Sequence, residues 1–301
     1  SMADKNAVLR VKDIVNSDKS RRFVVVSAPG KRFSGDIKIT DLLYRCFEEK
    51  DNPVAFDELF SKIRLRYTEM VEDLGLNIDI KKYLDEAEDG IKKSNAADYA
   101  ASRGEYLSAR IMSEVLGLEF IDASEIIKFT IKGAFDADTT NDLVSNTLSI
   151  NKGAVIPGFY GEMPDGRIKT FTRGGSDFTG AIIARGVTAD VYENWTDVDG
   201  FMTTDPRIVH NPVLIDTLSY EELRELSYMG ASVLHPDSTF PLQGTHIPIN
   251  IRNTFNPEAK GTYIVKDVTG RNGRLITGIA GRKGFTTILI KKSMMNAEVG
   301  F

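Results

Sequence analysis

The sequence predicts an α/β fold, a three-layer α/β/α sandwich built on a mainly parallel sheet. Three observations carry that expectation. Short apolar runs alternate with stretches of helical periodicity over most of the 301 residues. The apolar run RFVVVSAPG is continuous rather than alternating, as a strand covered on both faces requires, and GAVIPGFYGE and IPINIRNT read as further strands. The hydrophobic content is 42%, enough for a substantial core in one large domain or two smaller ones.

Taken in order, Val8, Val11, Ile14 and Val15 recur at helical spacing and predict a helix over 3–16. RFVVVSAPG reads as a buried parallel strand stopped by Pro29 and Gly30, and ITDLLYRCFEE as a helix. From 53 to 102 the pattern is strongly helical, and this region is expected to be a helical insertion in the α/β core. RGEYLSARIMSEVLG then reads as a helix, LEFIDA as a strand, and GAVIPGFYGE as a strand running into a glycine-punctuated loop. After a helix near 175–186, ADVYENWTDVDG gives a strand with a polar end. Ser219 and Glu222 stand in capping-box spacing ahead of a helix that stops at Gly230. IPINIRNT is a late strand, and NPEAKGTYI closes the unit near 265. Residues 266–301 read as a linker, KDVTGRNGR, and the start of a second region whose first strand is TTILIKK. The final residues, KKSMMNAEVGF, stop in mid-element.

Composition excludes several classes. A net charge of -5 gives no basic bias for a nucleic-acid surface. No apolar run approaches the roughly 20 residues that span a bilayer, and the N-terminus lacks a signal-peptide pattern. The single Cys46 precludes an internal disulfide and suits a reducing compartment. A cytoplasmic protein is the expectation.

In a parallel sheet, ligands bind beyond the carboxyl ends of the strands, and four clusters fall at such places. They are Ser27 to Gly30, Gly158 to Gly161, Arg173 to Asp177, and Thr196 to Arg207. Gly174 and Gly175 let backbone N–H groups approach an anion at the start of a helix, whose dipole favours the same charge. Arg173 can grip a carboxylate or phosphate with two parallel hydrogen bonds. Asp177 either orients a cationic partner or caps the helix. WTDVDGFMTTDPR packs three aspartates, three threonines and Arg207 into the twelve residues from Thr196. Asp197 and Asp199 could hold a metal or position a nucleotide; an acidic turn-rich loop is the plainer reading. Glu105 follows Gly104 at what reads as the start of a helix, where it either satisfies the dipole or binds an ammonium group. Trp195 reads as a core residue, and His210, His235 and His246 lack metal spacing. There is no Walker A loop and no GxSxG elbow.

Together these segments resemble the aspartate kinases of the amino acid kinase family. VVVSAPGK, SRGEYLSAR, GFYGEMPDGRIKTFTRGGSDFTGAIIARG, WTDVDGFMTTDPRIV, LSYEELRELSYMGASVLHP and IPINIRNTFNPEAKGTYI occur in the family's order across 23–264. RGGSD paired with WTDVDGxxTxDPR is the most specific part.

The resemblance implies transfer of the ATP γ-phosphoryl group to the β-carboxylate of L-aspartate, with Mg²⁺ on the phosphates. It implies that Arg173 clamps the α-carboxylate, Glu105 binds the ammonium group, and Thr40 and Ser176 help hold the substrate. Ser27, Gly174 and Gly175 would face phosphate oxygens, while Thr196, Asp197, Met202 and Arg207 would contact the nucleotide. Asp177 would orient a catalytic lysine. In the family that lysine lies in a Lys-Phe-Gly-Gly-Ser motif on an opening strand, which the sequence from Ser1 does not contain. Ser232 stands where the family often has lysine, and Met202 where it often has tyrosine. The sequence after 265 resembles the entry into an ACT regulatory region, and a homodimer or higher homo-oligomer is implied. Two other readings stay open: another phosphotransferase of this fold (glutamate, acetylglutamate, carbamate or uridylate kinase), or a non-catalytic ligand-binding module.

Overall fold

The computed structural model describes residues 2–148, 153–172, 174–228, 230, 233–268 and 276–281. Arg173, Ser232 and the TTILIKK segment lie outside the described residues. The same holds for nearly all of the expected ACT entry.

The chain opens with helix α1 (Lys5–Asn16), capped by the Asp4 carboxylate accepting from the Ala7 amide at 2.9 Å. Strand β1 (Phe23–Val26) follows, then α2 (Ile39–Glu48). The predicted helical insertion resolves into α3 (Pro53–Leu74), α4 (Ile80–Lys93) and the first turns of α5 (Ala97–Leu116). The sequence reading is corrected here. The insertion does not end near 102, and SRGEYLSAR is the middle of a 20-residue helix rather than the start of a new one.

β2 (Glu119–Phe120) and β3 (Ala154–Pro157) lie parallel beside β1 in the order β1-β3-β2. Two further helices, α6 (Ala123–Ile126) and α7 (Ala137–Thr147), separate them in the chain. The predicted glycine-punctuated loop after β3 is instead an antiparallel hairpin of β4 (Tyr160–Glu162) and β5 (Ile168–Thr170). Gly166, at φ 82°, makes the turn. Helix α8 (Gly175–Gly186) leads into β6 (Tyr192–Thr196), the first strand of a second sheet. That sheet adds β7 (Thr217–Ser219), β8 (Ile249–Asn253) and β9 (Thr262–Val265) in the order β6-β8-β9-β7. Its β6–β8 and β7–β9 pairs are parallel and β8–β9 is antiparallel.

The three layers follow from period-2 alternation along the strands. Val24, Val26 and Val155 join a core with α1 to α5, whereas Phe23, Val25, Ala154 and Ile156 join one with α6, α7 and α8. α8 also turns Ala181 and Ala184 toward a third core under the second sheet, so it belts the two sheets together. Helix α9 (Tyr220–Tyr228) carries the predicted capping box. The Ser219 amide donates to the Glu222 carboxylate at 2.9 Å, and the Glu222 amide donates to the Ser219 hydroxyl at 3.2 Å. Residues 276–281 return to this unit, where the Ile279 amide donates to the Thr203 carbonyl at 2.7 Å. Among the described residues no helix is long and apolar enough to cross a membrane.

Candidate active site

The carboxyl ends of β1 and β3 meet the middle of α5 and the start of α8. Gly104 makes the first contact possible. A Cβ there would lie 2.8 Å from Ala28 Cβ and 3.3 Å from Leu43 of α2, so only glycine lets the helix ride this close to the strand end. The next residue, Glu105, is therefore buried at 6% exposure instead of capping a helix. It accepts a hydrogen bond from the Ala28 amide. Its Oε2 is buried and has no hydrogen-bond partner among the described residues. Burial pushes its carboxyl up to about 8, against the Ala28 hydrogen bond and the pull of Arg103. Arg103 cannot serve as a direct partner: its guanidinium is caged by the rings of Tyr99, Tyr106 and Tyr160 at 4.5, 4.5 and 5.3 Å. Thr40, the second residue of α2, stands half-buried beside Ile39, which touches the Gly104 contact.

α8 is seated on β3 by the same device. Gly158 allows Ser176 to pack against it, and a Cβ on Gly175 would collide with Phe159. The Phe159 amide donates to the Thr179 hydroxyl at 3.0 Å, which fixes the helix on the strand end. The N-cap, Gly174, has φ 56° and no side-chain cap, so the first amides of α8 lack an acceptor from a capping side chain. Asp177 is not the cap. It faces β6 and accepts from Asn194 Nδ2 at 2.8 Å, and the Tyr192 hydroxyl donates to the Asp177 carbonyl at 3.1 Å. Burial raises the Asp177 carboxyl above its ordinary value, opposed by the Asn194 bond.

Ser27, Ser176, Asp177, Asn194 and Thr254 line one cleft of about 330 Å³ between β1 and β6. Thr196 ends β6, and its carbonyl accepts from the Thr254 amide and hydroxyl at 2.9 and 3.0 Å. Asp197 is exposed, while Asp199 accepts from the side-chain amides of Asn253 and Asn256 at 2.8 and 3.2 Å. Asp199 is thereby occupied with holding the loop. Met202 pairs across to Leu214. Arg207 is 84% exposed and paired with Asp205 at 2.7 Å. The structure thus gathers Ser27, Ser176 and Asp177, sets Glu105 and Thr40 behind Ala28, and leaves Met202 and Arg207 farther along the loop. Glu105 and Asp197 do not line the cleft that holds Ser27 and Asp177. Among the described residues no three or more His, Cys, Asp or Glu side chains gather into a metal site.

Two features escape the sequence reading. Asn194 is an unremarkable polar residue in YENWT until the fold points it at Asp177. Trp195 is not a core residue; the Arg21 and Arg252 guanidiniums lie 5.2 and 4.8 Å from its ring centre, and Glu193 ties both arginines.

The model of the Amino acid kinase family matches residues 1–253. Aspartokinase 3 of Bacillus subtilis is 37% identical over 315 residues, covering all of this chain and 69% of that protein. The crystal structure of Clostridium acetobutylicum aspartate kinase, described as an allosteric enzyme, superposes with a TM-score of 0.89 at 51% identity. That match covers 93% of this chain and 65% of the clostridial one. Escherichia coli aspartokinase III, solved in complex with aspartate and ADP, gives a TM-score of 0.78 at 28% identity, over 92% of this chain and 65% of that one. The chain thus spans about two thirds of the length of these relatives. On this footing the chain belongs to the amino acid kinase family, on its aspartokinase branch.

Proposed function

We propose that the chain carries the catalytic region of an aspartate kinase, passing the γ-phosphoryl group of ATP to the β-carboxylate of L-aspartate. The observation that supports this most is Glu105. A buried carboxyl with an unpartnered oxygen is costly to the free protein, and a substrate ammonium group is the partner that would relieve it. Thr40 and Ser176 would flank the amino acid, and Arg173 would clamp its α-carboxylate.

The phosphate side is assigned to the uncapped start of α8. Its free amides, the bare backbone of Gly174 and Gly175, and the Ser27 hydroxyl suit an anion. Thr196, Asp197, Met202 and Arg207 would hold the rest of the nucleotide. Two anionic reactants must be brought together, so positioning and charge neutralisation do most of the work. An oxygen of the β-carboxylate forms the new bond to the γ-phosphorus as the bond to the bridging oxygen of ADP breaks. Mg²⁺ on the phosphates would supply charge neutralisation. Asp177 would orient the lysine that the resemblance assigns to an upstream strand.

The test is ATP turnover with Mg²⁺ against a panel of acceptors, using the chain with the residues encoded upstream of Ser1 included. L-Aspartate-dependent ADP release is expected. Turnover with glutamate, carbamate or a nucleoside monophosphate but none with aspartate would overturn the assignment. So would nucleotide binding with no turnover on any acceptor.

A further inference from the structure

The helical insertion carries an inference that deepens the aspartate reading and rests on it. Thr40 and Glu105, two of the side chains proposed to hold the amino acid, sit on different elements, α2 and α5. Two consecutive residues of α3, Arg66 and Tyr67, reach both of those elements. Successive side chains of a helix point about 100° apart, so neighbours in sequence can grip different partners in space.

Arg66 takes the loop that leads to Thr40. Residues 27–38 join the carboxyl end of β1 to α2, and Lys31 to Gly35 at the crown of this loop are exposed. Arg66 itself is only 5% exposed. Its Nη2 donates to the Gly30 carbonyl and, at 3.2 Å, to that of Ala3. Its Nη1 donates to the Ile37 carbonyl at 3.2 Å and pairs with the Asp36 carboxylate at 3.0 Å. Gly30 and Ile37 are the two feet of the loop, so one planar guanidinium braces it across its base. Asp36 extends the hold by accepting from the Arg32 amide at 3.0 Å.

Tyr67 takes the helix that carries Glu105. It is fully buried, and its hydroxyl donates to the Gly104 carbonyl at 2.8 Å. A helical carbonyl already accepts from the amide four residues on, so α5 does not need this bond in order to form. The bond pins α5 at the glycine that rides against Ala28 and immediately precedes Glu105.

Arg66 is not what packing alone would select. Its buried Nε has no hydrogen-bond partner among the described residues, and an apolar side chain of similar volume usually serves a core as well as a buried ion pair does. We infer that Arg66 and Tyr67 are positioning residues of the amino acid subsite. From one turn of α3 they set the loop of Thr40 and the helix of Glu105 at a fixed separation. Neither residue touches the substrate.

The test is steady-state kinetics of Tyr67→Phe and Arg66→Lys in the protein used for the acceptor panel, with Ile63→Val as control. Ile63 is a fully buried residue of the same helix, and shortening it loosens α3 while leaving both grips in place. Each positioning variant should raise KM for L-aspartate about tenfold and leave KM for ATP within about twofold of the parent. The control should lower Tm with both KM values unchanged. A second readout needs no substrate: Arg66→Lys should speed amide hydrogen exchange across 28–40. If Arg66→Lys does not fold, Tyr67→Phe, which removes a single oxygen, decides. Equal rises in both KM values, the same aspartate effect in the control, or unchanged exchange across 28–40 would overturn the inference. A parent that turns over aspartate while the variants match it sinks this inference alone; a parent with no aspartate turnover sinks the aspartate reading and the inference with it.

Discussion

Replacing Glu105 by glutamine should make the free protein more stable while removing its response to L-aspartate. The ordinary glutamate value of 4.5 rises to about 8 in the fold because the carboxyl is buried. The neutral form is thus the one the folded state favours. At low pH, where the carboxyl is protonated in both states, burial of the ion costs nothing. As pH rises past about 4.5 the unfolded chain ionises freely and the folded one resists, so stability falls until about pH 8. At about pH 7 the difference of roughly 2.5 pH units corresponds to about 3 kcal/mol, at 1.4 kcal/mol for each. Glutamine keeps an oxygen for the Ala28 amide and carries no charge, so Glu105→Gln should recover most of that. For a chain of this size the gain is about 3–5 °C in Tm. The assay is thermal unfolding of both proteins at about pH 5 and about pH 7. The two should lie within about 1 kcal/mol of each other near pH 5 and separate further near pH 7, the variant melting higher. In turnover or calorimetry the variant should lose aspartate. If the variant melts at or below the parent near pH 7, burial does not penalise ionisation of this carboxyl and the reasoning fails.

Gly104→Ala should lower stability by about 1–3 kcal/mol despite the better helix former, because its Cβ meets Ala28 at 2.8 Å. It should also raise KM for aspartate by shifting Glu105, seen in steady-state kinetics. Asp98 anchors the first turn of α5 to β5, accepting from the Thr170 hydroxyl and amide at 2.6 and 2.8 Å. Burial works against its ionisation, yet those bonds and Lys169 hold its carboxyl below the ordinary value. Its contribution is therefore present above 3.8 and lost as pH falls below it. Asp98→Ala should cost about 1–3 kcal/mol by urea unfolding near neutral pH, leaving the Thr170 amide unsatisfied. Cys46 has 0% exposure, and burial pushes its thiol up to about 12. It should resist thiol reagents in the native protein and react on unfolding, read by mass spectrometry.

Much of the α/β order was legible because β1 and β3 are short, continuous apolar runs with punctuation at their ends, and β8 sets isoleucines at every second position. The capping box at Ser219 and Glu222 was legible for the same reason: its signal is local. The β4–β5 hairpin was not, since YGE and IKT are too short to show a period, and Gly166 resembled loop punctuation. Gly104 misled more instructively. A glycine ordinarily marks a helix end, but here it stays within α5 because Ala28 approaches from another element, a long-range contact no window of sequence contains. Asn194 was hidden similarly, since its partner Asp177 is 17 residues away. The glycine pair before α8 was readable as a bare helix start, and Ser27 and Asp177 as neighbours at strand ends. Nothing local distinguished Thr196, which the structure sets at the end of β6, from Arg207, which it pairs with Asp205 out on the loop.

The most direct test of the central claim, that Glu105 receives the substrate ammonium group, is the proton balance of L-aspartate binding. It is measured by titration calorimetry in buffers of differing ionisation enthalpy. At about pH 7 a carboxyl with a value of about 8 is roughly nine-tenths protonated. Pairing with an ammonium group should expel that proton, so close to one proton should leave per aspartate bound, and Glu105→Gln should show neither release nor tight binding. Aspartate binding with no proton released, undiminished in the glutamine variant, would contradict the account.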